Sequence, residues 1–137
     1  MAAKKVQKNT AKKNKKKRIR RIATNGRAYI LATFNNTLIT ITDEKGETIA
    51  ASSAGANGFR GARKSTPYAA QVAAEAAAEK AKNLCGLEKV AVFIRGIGPG
   101  REQAIRGLHI CKLDLLSITD ITATPHGGCR LRKRRKV

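Results

Sequence analysis

Basic residues crowd the two ends of this 137-residue chain and leave its middle near neutral, so only the middle can build a core of its own. Residues 1 to 22 hold eleven Lys or Arg and no acid. Residues 130 to 137 hold six more, again with no acid. Such segments repel themselves and bury too little apolar surface to offset the entropy lost on folding. The stretch 23 to 129 keeps twelve bases against all nine acids, a local net charge of +3 in a chain that carries +20 overall. Its length suits one domain. The expected organisation is a basic N-terminal extension over 1–24, an α/β domain over 25–125 and a basic C-terminal tail over 126–137. Trp is absent and aromatics make up 4% of the chain, so the core must be aliphatic.

Long unbroken basic runs call for a polyanionic partner. Nucleic acid serves through counterion release, which makes binding strong at low salt and weak at high salt. A solubility tail needs far fewer charges. A membrane surface recruits amphipathic helices with large apolar residues on one face, and residues 1 to 18 offer only Met1 and Val6. No apolar run is long enough for a transmembrane helix, and the N-terminus lacks the apolar stretch of a signal peptide. Three scattered cysteines, at 85, 111 and 129, with no CxxC pattern, suit reduced thiols and a cytoplasmic location.

Hydrophobic patterning predicts a three-strand meander over 28–34, 37–42 and 48–54. Asn35-Asn36 and Asp43-Glu44-Lys45-Gly46 form its turns. A Gly-rich basic loop spans 55–65. Thr66 then caps and Pro67 opens an alanine-rich helix to about Leu84, closed by Gly86. The continuous apolar run within 89–95 predicts a strand covered on both faces. Gly96-Ile97-Gly98-Pro99-Gly100 is a tight turn before a helix over 101–111, whose Ile105, Leu108 and Cys111 share a face. A last strand covers 115–122. This order implies a mixed sheet with helices packed on its faces through right-handed crossovers.

Two loops share one construction: each follows a strand, is rich in Gly and feeds a helix N-terminus. Unpaired amides and the positive end of the helix dipole suit phosphate there, and glycine lets a nucleic-acid backbone come close. The first loop adds Arg60, Arg63 and Lys64. The second adds Gly98, Gly100 and Arg101, with Arg106 one turn on. Neither matches a Walker or a dinucleotide-binding spacing. Catalysis has little support. Glu75 and Glu79 share a helix face without a second carboxylate pair, and His109 and His126 lack an evident acid or nucleophile partner. His126 and Cys129 are at most half a metal site, so neither a metal nor another cofactor is expected. Tyr29, Phe34, Phe59, Tyr68 and Phe93 are too few and too scattered for a single-strand stacking platform.

Five motifs together carry a family resemblance. They are Phe34-Asn35-Asn36-Thr37, Gly58-Phe59-Arg60-Gly61, Lys64-Ser65-Thr66-Pro67-Tyr68-Ala69-Ala70-Gln71, Gly98-Pro99-Gly100-Arg101-Glu102, and Thr124-Pro125-His126 with Cys129-Arg130. In order and spacing, residues 25 to 137 resemble the S-eleven family of bacterial small-subunit ribosomal proteins. The resemblance implies an α/β domain with a three-layer α/β/α arrangement and ribonuclease-H-like topology. Its mixed five-stranded sheet would have the order 3-2-1-4-5, with the second strand antiparallel to the rest. It also implies a non-enzymatic protein of the subunit platform, bound to ribosomal RNA near the messenger exit and the E site, beside other platform proteins. Gly127 stands where the family commonly has Asn, and Leu131-Arg132 replace two prolines. The expected RNA-binding residues are Arg60, Arg63, Lys64, Gly98, Gly100 and Arg101 in the loops, with Asn35 and Asn36 in the first turn. In the tail they are His126, Arg130, Arg132, Lys133, Arg134 and Arg135. A free nucleic-acid-binding module and a phosphate-using enzyme are the competing readings.

Overall fold

The computed structural model describes residues 22–134 and 136. Five strands and two helices follow one another as β1 (Asn25–Ala32), β2 (Thr37–Asp43), β3 (Thr48–Ser53), α1 (Pro67–Cys85), β4 (Lys89–Arg95), α2 (Arg101–Ile110) and β5 (Asp114–Asp120). The sheet order is β3-β2-β1-β4-β5. β2 runs antiparallel to β1 and β3, while β1, β4 and β5 are mutually parallel. Class, strand count and order agree with expectation.

The layering does not. Every inward residue of β1, β2 and β4 lies on one side of the sheet: Ala28 pairs with Ile41 and Val92, and Ile30 with Ile39 and Ile94. All six are buried, in one cluster with α1 alanines 70, 73, 74, 77, 78 and 81 and with Ala104 and Leu108 of α2. Both helices therefore sit on the same face, and the expected third layer is missing among the described residues. The cause is topological. The crossovers β3-α1-β4 and β4-α2-β5 both advance toward the β5 edge, and two crossovers of one hand going the same way deposit their helices on one side. Among the described residues β4 is accordingly covered on one face only: Val90, Val92 and Ile94 are buried, while Ala91 and Phe93 are half-buried and Lys89 and Arg95 exposed.

Small side chains make the helix layer thin. A Cβ added at Gly107 would lie 2.7 Å from the Gln71 carbonyl oxygen and 2.8 Å from Ala74 Cβ, so α1 and α2 touch almost backbone to backbone. At their C-terminal ends, Lys82 Nζ donates to the carbonyls of Cys111 and Lys112, the latter 2.9 Å away. This braces the left-handed turn at Lys112, whose φ is 57°. The buried hydrophobic set contains no aromatic residue, as the composition required.

Local chemistry explains where elements end. β1 stops at Ala32 because the Thr33 hydroxyl accepts the amides of Asn35 and Asn36 and donates to the Asn36 carbonyl, closing a turn centred on Phe34 and Asn35, one residue earlier than the expected Asn35-Asn36. The basic loop is wound more tightly than a plain loop, with 3-10 turns at Gly55–Asn57 and Gly61–Ser65. Asn57 Nδ2 bonds Ser52 Oγ and the Ser53 carbonyl, and the Ser65 hydroxyl donates to the Ala62 carbonyl. As expected, Thr66 caps α1, accepting the Ala69 amide, and Gly86 closes it at φ 68°.

Candidate nucleic-acid interface

The strand directions collect the basic loops at one end of the molecule. β1, β3, β4 and β5 all point their C-terminal ends the same way, so the β1–β2 turn, the loop before α1 and the loop before α2 emerge together. Both helices start there, which superposes two positive dipole ends. The C-terminal tail leaves from the same end, after β5.

Close backbone contacts fuse these pieces. The Gly98 amide donates to the Ala32 carbonyl at 3.0 Å, and a Cβ at Gly98 would collide with the Thr33 carbonyl oxygen. Gly100 fits between Thr37 and α1: a Cβ there would lie 2.5 Å from Thr37 Oγ1 and 2.7 Å from Ala70 Cβ. Glycine is required at both positions by proximity, not by backbone conformation. The same crowding buries Thr37 Oγ1 without a hydrogen-bond partner.

The expected site residues divide into braces and open charges. Arg101 is a brace. Its Nη1 donates to the Gly96 carbonyl at 2.7 Å and its Nη2 pairs with Asp120 at the end of β5. Arg60 is partly one too, with Nη1 on the Gly55 carbonyl at 2.7 Å. Asn36 spends its side-chain oxygen on the Thr37 amide. Asn35 and Arg63 are exposed at the same end, and Lys64 is half-buried against the loop. Gly100 gives α2 no side-chain cap, so the first amides of α2 keep their donor capacity. His126, Arg130, Arg132, Lys133 and Arg134 are exposed along an irregular tail, and Arg135 and residues 1–21 lie outside the described residues. Gly127 has φ 66°, a conformation that Gly and Asn both accept.

Phe34 and Ile97, not among the expected site residues, are each 67% exposed at the tips of the fused turns. A large apolar residue beside turn-forming Asn or Gly was the signal available for both. Among the described residues no group of His, Cys, Asp or Glu is placed to hold a metal ion.

Asp120 is the electrostatic keystone of the second loop. Hydrogen bonds from the Thr122 hydroxyl and amide, then from Arg101, hold its carboxyl down from the ordinary 3.8 to about 2. The depressed value means that the ionised form stabilises the fold above pH 3.8 and that this contribution is lost as pH falls toward 2. Melting curves across this range should show wild-type protein losing stability relative to Asp120→Asn, with the two profiles parallel above about pH 5. Parallel profiles throughout would mean the pair is solvated and inert.

A family profile for ribosomal protein S11 matches residues 26–136, the folded part of the chain from the second residue of β1 and most of its tail. The chain belongs to the ribosomal protein S11 family. Among curated members, the small ribosomal subunit protein uS11 of Rhodopirellula baltica is 54% identical over 127 residues, covering 93% of this chain and 99% of its own. The uS11 of Psychromonas ingrahamii is 52% identical over 122 residues, covering 89% and 94%. The family's matched region contains every loop of the fused end.

Proposed function

We propose that this protein is a structural, non-catalytic constituent of the small ribosomal subunit that binds ribosomal RNA through its loop-bearing end and its tails. One observation supports this most: two helix N-termini, two Gly-rich basic loops and the root of a basic tail converge on one end, with glycines where a backbone must come close. Arg63, Lys64, Asn35 and the tail residues His126, Arg130, Arg132, Lys133, Arg134 and Arg135 meet phosphate and sugar. Arg60 and Arg101 keep loop shape and offer their remaining donors. Gly98 and Gly100 set the close packing that aligns the two loops. Such contacts position a protein on RNA by shape rather than by reading bases in a groove. The basic N-terminal extension adds phosphate neutralisation. The site on the subunit is the platform, near the messenger exit and E site, beside neighbouring platform proteins. No metal or small-molecule cofactor takes part.

The competing reading is a nucleic-acid-binding module that works away from ribosomes. Sucrose-gradient fractionation of a cell lysate separates the two. The protein should sediment with small subunits and with whole ribosomes, and leave them only at high salt. A majority at the top of the gradient under low-salt conditions sinks the ribosomal role.

A further inference from the structure

The face of the sheet opposite the helices has no covering layer among the described residues, and its side chains form an ordered pattern. Tyr29 on β1 and Phe93 on β4 are in register and stack, with ring centroids 5.3 Å apart and planes inclined by 18°. Their outer neighbours in the same row are Thr40 on β2 and Thr119 on β5. Both are far smaller than an aromatic ring. Exposed bases flank this row: Arg27 lies two residues before Tyr29 on β1, and Arg95 two residues after Phe93 on β4, with Lys89 farther along β4. None of the three is in an ion pair among the described residues. On this face, Asp114 beside Lys89 is the acid the strands supply.

We propose that this open sheet face is a second RNA-contacting surface, at which unpaired bases extend the Tyr29–Phe93 stack while Arg27 and Arg95 take the adjoining phosphates. The proposal rests on the RNA-binding role above and adds a surface remote from the loops in character: stacking on a sheet rather than phosphate at helix starts. Aromatics on adjacent central strands with bases around them are the general device by which sheets hold single-stranded RNA. The charge selects the occupant. A face whose bases outnumber its acids suits a polyanion better than the apolar patch of a neighbouring protein.

The chain has two tyrosines and no Trp, so Tyr68→Phe leaves Tyr29 as the fluorescent reporter in the full-length protein. Titration with a uridine oligomer at low salt, with filter retention of the same samples, is the test. Tyr29 emission should be quenched in step with retention. Arg27→Ala with Arg95→Ala, both at exposed positions, should abolish the quenching at oligomer concentrations that saturate the parent. Phe93→Ala should weaken oligomer binding about tenfold. Retention with unchanged Tyr29 emission overturns the proposal and leaves the loop-bound reading standing, with the sheet face then free for a protein neighbour. Failure to retain either the oligomer or ribosomal RNA overturns both.

Discussion

Gly98→Ala is expected to destabilise the domain by about 3 kcal/mol, near the top of the range for overpacked sites. The added methyl would meet the Thr33 carbonyl and the Ala32 backbone, which cannot rotate away as a side chain would. The turn before α2 must then lift off the β1–β2 hairpin, breaking the bond from the Gly98 amide to the Ala32 carbonyl. Because that contact aligns the two turns, RNA affinity should fall even below the midpoint of unfolding. Denaturant melts together with filter binding at a temperature where the variant is folded provide the check. A loss of stability with affinity intact would show that the alignment of the turns is irrelevant to binding.

The second large effect is on binding alone. Replacing Arg130, Arg132, Arg134 and Arg135 with Ala should weaken binding to ribosomal RNA at low salt. It should also flatten the dependence of log affinity on log salt by up to about 3.6 units, about 0.9 per lost phosphate contact. The described arginines among them are exposed and outside the core, so the melting temperature should not move measurably. An unchanged salt slope would mean that this tail does not touch phosphate.

Much of the domain was legible in one dimension because its signals are local. Thr66-Pro67 opens α1 and Gly86 closes it through backbone groups within a few residues, and the short, β-branched run from Val90 to Ile94, followed by Gly96, reads as a strand. The basic loops stood out by composition. What could not be read is which of their charges are already spent. Arg101, expected to meet phosphate, also holds Gly96 and Asp120, a carboxylate 19 residues away. Tyr29 and Phe93 looked scattered, yet strand register stacks them. Both facts depend on pairing between distant segments, which leaves no mark in local pattern.

The sequence alone determined the division of this chain into a near-neutral aliphatic domain and basic ends. It also determined the strand and helix order, because charge segregation, hydrophobic period and turn residues act over short range, while the kinship with S11 was carried by five motifs. Tertiary structure decided three further things: that both helices cover one face of the sheet, that the other face carries a stacked aromatic pair and no covering layer among the described residues, and that glycines 98 and 100 weld separate turns into one end. Each follows from crossover geometry and backbone contact, which exist only once the strands are paired.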